Sequence, residues 1–194
     1  MKNFKLLLVA VLAILSVSSC MKNEYVDDNS FEENQARIDS ILKKQKPILA
    51  AYALDSLGEG RMYSDTLGIW YEVLEEADPE DDFEYVIRNS SYIPVVANVK
   101  YKGQLLTGEV FDQKTTSVEQ EVNNVILGWL YAFYPKSSDP GQFSGLLPEG
   151  LKKGSKIRIV IPSPLGYDNQ VKEKIPANSP LDFTIEVTSI RNSN

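Results

Sequence analysis

The stretch "VKYKGQLLTGEVFDQ", Val99 to Gln113, restricts the fold more than any other part of the chain. Apolar and polar residues alternate on both sides of Leu106-Thr107-Gly108, the period of strands that bury one face and join through a tight turn. The strands are read as "IPVVANVKYKG" and "GEVFDQ". "TLGIWYEVL" (Thr66 to Leu74), "SKIRIVIPS" and "LDFTIEVTSI" repeat the strand texture, whereas "VILGWLYAF" (Val125 to Phe133) reads as one helix of two turns. Antiparallel strands with a single short internal helix predict an α+β domain.

Composition narrows the chemistry. The chain has 194 residues, 43% of them apolar, and ten tyrosines, enough for one cored domain with extensions. It has no histidine, which removes Ser-His and Cys-His catalysis and most zinc sites. No metal or cofactor is expected. The net charge of −7 argues against a nucleic-acid partner. No Gly-rich phosphate loop is present.

The N-terminus reads as an export signal. Lys2 and Lys5 precede the apolar run "LLLVAVLAIL" and the small-residue stop "SVSSC". Val17-Ser18-Ser19-Cys20 resembles a bacterial lipobox, in which the cysteine is lipidated. Cys20 is the only cysteine in the chain, so lipidation there would leave none for a disulfide. Several acyl chains on one residue anchor stably where one does not. The expectation is a signal peptide over 1–19 and a polar, acidic tether over 20–29.

An N-terminal helical region is expected over 30–60. "SFEE" forms a capping box of Ser30 and Glu33, and Ile38, Ile41, Leu42 and Gln45 follow on one face. Pro47 is expected to kink or split the helix, and a second piece, Ile48 to Leu57, to stop at Gly58 and Gly60. Such a helix serves as a cap or spacer; its stripe is too short for a coiled coil. "EEADPEDD" reads as a solvated acidic turn, lacking the central glycine of an EF-hand.

Four pieces in order resemble FKBP-type peptidyl-prolyl cis-trans isomerases. They are "VKYKGQLLTGEVFDQ", "VILGW", "GLKKGSKIRIVIPSPLGY" and "IPANSPLDFTIEVTSI", and "TLGIWYEVL" matches the family's first strand. The resemblance covers Thr66 to Ile190 and implies an antiparallel sheet wrapped around a short helix, with an isomerase domain over 61–194. It also implies the pocket. Tyr101, Phe111, Asp112, Ile126, Trp129 and Tyr167 would be catalytic, and Val125, Ile175 and Phe183 would bind substrate. In this reading Trp129 is the floor, the Ile126 N–H and Tyr167 hydroxyl hold substrate carbonyls, and Asp112 accepts from Tyr101. Proline-containing polypeptides are the implied clients. Together with Cys20, the resemblance implies a lipoprotein of a Gram-negative cell envelope, held at a membrane, the outer one being favoured.

The chain departs from the family's pattern in four places. The segment from Phe111 to Trp129 is shortened and lacks a rim aromatic, with Val118 the nearest apolar residue. Asp168 stands where glycine is usual, and Lys174 where an apolar residue is common. Extra residues between Trp129 and Gly154, including "YPKSSDPGQFSG", read as an exposed loop.

Overall fold

The computed structural model describes residues 28–193. The expected export signal and Cys20 lie outside the described residues, as does the expected tether up to Asp27. The chain divides into two compact units at Gln35/Ala36. Of the first, residues 28–35 are described, and they are helical. All contacts below belong to the second unit.

Helix α1 (Asp28–Ser56) runs through Pro47 without a break. Ser30 lies inside it, not at its cap. The expected split does not occur because Pro47 is on the exposed face, as is Lys43 four residues earlier. The carbonyl that loses its partner at Lys43 can therefore be hydrated. Leu49 and Ala53, with Leu57 just past the helix end, are buried against Val160, with Tyr52, Trp70 and Leu106 around them.

A six-stranded antiparallel sheet follows, in the order β1-β2-β7-β8-β5-β6. Its strands are β1 (Met62–Ser64), β2 (Ile69–Glu75), β5 (Val95–Leu105), β6 (Val110–Glu121), β7 (Lys156–Ile161) and β8 (Leu181–Asn192). A separate small hairpin joins β3 (Ile87–Arg88) to β4 (Ser91–Tyr92). Helix α2 (Leu127–Phe133) packs on the inner face of the sheet. The FKBP-like α+β architecture expected from the sequence is the one observed.

Strand alternation sorts side chains between two faces. On β7 and β8, Ile157, Ile159, Ile161, Leu181, Phe183 and Ile185 enter the main core with Trp129 and Phe133 of α2. The residues between them face helix α1: Val160 joins its apolar contact, and Arg158 and Asp182 form a polar cluster with Tyr52. The close approach of α2 depends on Gly128, where a Cβ would lie 2.7 Å from Ile161 Cδ1.

Two readings are corrected here. Strand β6 continues to Glu121, eight residues past "GEVFDQ", because as an edge strand it pairs only with β5 and needs no apolar alternation. The segment after α2 is a loop exposed at its tip, Ser138 to Gly141, but not throughout. Phe143 stacks on Tyr131 at 4.8 Å, Leu146 is buried, and the Leu146 N–H donates to the Tyr131 carbonyl at 2.7 Å. An aromatic and a leucine among polar residues fold it back onto the helix.

Candidate active site

The site begins with a bulge. Gly103 pairs with Asp112, but the next β5 residue, Gln104, pairs with Val110, so Phe111 is the extra residue on β6. In an unbroken strand, neighbouring side chains point to opposite faces. A bulge re-aims them. Here Phe111 and Asp112 both line one cavity of about 250 Å³. Gly103 makes room for this, since a Cβ there would come within 2.6 Å of the Phe111 ring and 2.8 Å of Phe183.

The cavity collects most of the predicted residues. Tyr101, Phe111, Asp112, Val125, Ile126, Trp129, Tyr167 and Phe183 line it together. Ile175 does not; it is 5% exposed and packed into the main core, pinned by paired backbone bonds with Lys172. Val118 is not in the lining either. The rim instead carries Gln120 and Asn124, two polar residues that the sequence reading did not pick out. Their signal was hidden because it depends on where β6 ends and on the turn (Val122–Asn124) leading to α2.

The walls are aromatic rings set edge to face. Tyr101 meets Trp129 at 5.2 Å and 81°, Trp129 meets Phe183 at 5.7 Å and 89°, and Phe183 meets Phe111 at 5.5 Å and 79°. This geometry brings the positive edge of one ring to the negative face of the next and locks the rings. Trp129 is 5% exposed, and its indole Nε1 has no hydrogen-bond partner among the described residues. The floor is therefore formed by the nearly buried indole of Trp129. Ile126 stands immediately before α2 in an extended conformation, φ −64° and ψ 153°, and its carbonyl accepts from Trp129 N–H at 3.0 Å.

One carboxylate stands at the mouth. The Tyr101 hydroxyl donates to Asp112 Oδ2 at 2.6 Å. Burial and then this bond push the Tyr101 hydroxyl far above its ordinary pKa, because losing the proton would place two negative charges together. Tyr167 is also raised, first by burial and then by the charge of Asp112. Both phenols are neutral donors near pH 7. Neither offers a nucleophile or a base, so the site can bind, orient and desolvate but is not built for proton transfer.

Residues 94–188 match the family model of FKBP-type peptidyl-prolyl cis-trans isomerases. That region belongs to the FKBP-type family. A curated relative, the FKBP-type peptidyl-prolyl cis-trans isomerase FkpA of Buchnera aphidicola subsp. Schizaphis graminum, is 37% identical over 100 residues, 48% of this chain and 32% of its own. FkpA of Buchnera aphidicola subsp. Acyrthosiphon pisum is 27% identical over 177 residues, 88% of this chain and 54% of its own. The chain thus spans between a third and just over half of these curated relatives. The crystal structure of FkpA from Escherichia coli superposes with a TM-score of 0.53 at 22% identity, covering 98% of this chain and 83% of that one, a likeness of fold.

The FKBP-type region carries one departure with structural consequences. Asp168, directly after Tyr167, has φ +51°, the left-handed conformation that glycine adopts without cost and aspartate tolerates better than most residues. Its carboxylate is bound by Arg37 of α1, with Nη1 to Oδ1 at 3.0 Å and Nη2 to Oδ2 at 2.6 Å. That bond holds the Asp168 carboxyl below the usual carboxylate range.

Proposed function

We propose that this protein is a peptidyl-prolyl cis-trans isomerase that receives X-Pro segments in the Trp129 cavity. The observation that carries the reading is the aromatic cavity with neutral donors and one carboxylate at its mouth, in a region of FKBP-type family. An X-Pro amide crosses a barrier of ~18–20 kcal/mol because rotation breaks its planar, charge-separated resonance. Water stabilises that separated charge; an apolar cavity does not, and so raises the ground state relative to the less polar twisted state. Trp129, Phe111, Tyr101 and Phe183 would enclose the proline ring. The Ile126 N–H and Tyr167 hydroxyl would hold substrate carbonyls, each contributing about 1 kcal/mol net. Asp112 would fix Tyr101 and set negative charge beside the twisting carbonyl carbon. Val125 would bind at the edge, and Ile175 supports the pocket from within the core.

The setting we propose is the cell envelope, where the protein assists the folding of exported polypeptides, anchored through lipid on Cys20. The sequence of the N-terminal segment supports this, as does the similarity to FkpA proteins. The purified full chain is expected to speed cis/trans relaxation of a proline peptide; no acceleration at micromolar protein overturns the enzymatic reading. Metabolic labelling with a fatty acid tests Cys20, and unlabelled wild-type protein overturns the anchor.

A second reading is a binding module that holds proline-containing segments without turnover. The polar rim of Gln120 and Asn124 favours it, since these residues line the cavity and Val118, the nearest apolar candidate for the rim, does not. Retention of an unfolded client by a protein with no isomerase rate would select it.

A further inference from the structure

Tyr167 sits on a loop that the domain's own sheet does not fully hold. From Ser163 to Asn178 the chain leaves β7, passes the cavity at Tyr167 and returns towards β8. Among the backbone bonds within this loop, three tie its ends to its middle. The Gly166 and Asp168 N–H groups donate to the Ser163 carbonyl at 2.9 and 2.8 Å, and the Asn178 N–H donates to the Asp168 carbonyl at 2.6 Å. Ser163 and Asn178 are thus the two posts of the loop, and Asp168 is its middle.

Helix α1 touches all three points. Gln45, 7% exposed, accepts from the Ser163 N–H through Oε1 at 2.8 Å. Its Nε2 donates to Ser163 Oγ and to the Asn178 carbonyl, both at 2.9 Å. One amide side chain therefore bridges both posts. Two turns earlier on the helix, Arg37 grips Asp168 with the two parallel bonds described above. Paired guanidinium–carboxylate bonds fix orientation as well as distance. Between the ties lies a cleft of about 370 Å³ that Ile41, Lys44 and Asn169 help to line. The two polar ties join helix and loop here.

We propose that Arg37 and Gln45 are positioning residues: helix α1 sets the place of Tyr167 at the cavity mouth by holding the loop at Ser163, Asp168 and Asn178. The sequence oddity at Asp168 then has a purpose. Glycine at that position would satisfy the backbone but offer the helix nothing to grip. The consequence for catalysis, though not the tie itself, rests on the isomerase reading above.

The test is a set of full-length variants on the solvent side of the tie, where folding is least at stake: Arg37→Gln, Arg37→Lys, Asp168→Asn and the Arg37→Gln/Asp168→Asn pair. Amide exchange is measured at Asp168 and Asn178, with β5 and β8 amides as internal controls. Loss of protection at the two loop amides alone is expected in both neutral single variants. The pair should lose no more than either single change, and Arg37→Lys should retain part of the protection. In the isomerase assay the same variants should lower turnover in the same order while the melting temperature falls only slightly, as for a partly exposed pair. Unchanged exchange at Asp168 and Asn178, or a loss spread equally over the sheet, overturns the tie. Lost protection with undiminished turnover overturns the positioning of Tyr167. An inactive wild type overturns the isomerase reading, and with it the proposed effect on turnover, while exchange still decides the tie.

Discussion

Two Phe–Asp neighbours lie on opposite sides of this domain's chemistry. Phe111-Asp112 is on β6 and Asp182-Phe183 is on β8, and the two phenylalanines touch edge to face across the cavity. On β8 the strand is regular there. Phe183 points to the cavity, while Asp182 points away and is buried at 1% exposure beneath α1. On β6 the bulge turns both residues to the cavity, and Asp112 stays exposed at its mouth. The same two residue types thus yield a structural hub in one case and a site carboxylate in the other. Backbone register, not residue identity, makes the difference.

Their partners differ accordingly. Among the described residues Asp112 has the single Tyr101 hydroxyl. Asp182 accepts from Arg158 Nη2 at 2.6 Å, from Tyr52 at 2.7 Å and from Gln104 at 2.8 Å. Arg158 also reaches the Ser56 carbonyl at the end of α1, which ties the helix to the sheet. A buried charge persists only when it is paired and fully hydrogen-bonded.

The largest effect should come from breaking the hub. Asp182→Ala leaves Arg158 and two further donors without their acceptor and is expected to cost ~3–5 kcal/mol in denaturant unfolding. The comparison fails if the loss is under about 1 kcal/mol, the range of an exposed pair. Next comes the bulge. Gly103→Ala drives a methyl into Phe111 and Phe183, so ~1–3 kcal/mol of stability should be lost to overpacking. Near-ultraviolet circular dichroism should report the displaced rings, and an unchanged spectrum would count against the bulge as the device that opens the cavity.

Asp112→Ala is the mirror of the first change. Little stability should be lost, about 0.5–1 kcal/mol, while isomerase turnover falls by about fivefold, the kinetic equivalent of about 1 kcal/mol. A matching loss from Tyr101→Phe, with no further loss in the double variant, would tie the effect to their shared bond; additive losses would separate them. The smallest effect concerns acid. Arg37 lowers the Asp168 carboxyl in the folded state, so the folded protein binds its proton less readily than the unfolded chain does. The resulting stability is fully present above the ordinary carboxylate pKa of about 3.9 and is lost as pH falls through the lowered native value. Arg37→Gln should therefore shift the acid-unfolding midpoint upwards, as read by far-ultraviolet circular dichroism. An unshifted midpoint would mean that the pair makes no net contribution.

Much of this was legible in the residues. Alternation placed β2, β5, β7 and β8 and the apolar run placed α2, because burial of one face imposes its period on the sequence; β6, an edge strand without that period, was legible only in its first residues. The order of motifs brought together the residues that line the cavity, from Tyr101 through Trp129 to Tyr167. Ile175, expected to bind substrate, packs in the core and is not among the cavity's lining residues, and a buried apolar residue beside a pocket has the same local signature as one within it. Gln45 was placed on the inner face of its helix, but nothing nearby in the chain shows Ser163 and Asn178, its partners more than a hundred residues away.

The sequence by itself determined the period of each element, the absence of histidine chemistry and the aromatic stock of the cavity. These follow from residue types and near-neighbour spacing, which act before the chain folds. Only the tertiary structure decided which aspartate became a hub and which a site residue, that Pro47 leaves α1 unbroken, and that Arg37 meets Asp168. Each depends on register and burial across distant segments, and those are properties of the folded chain alone.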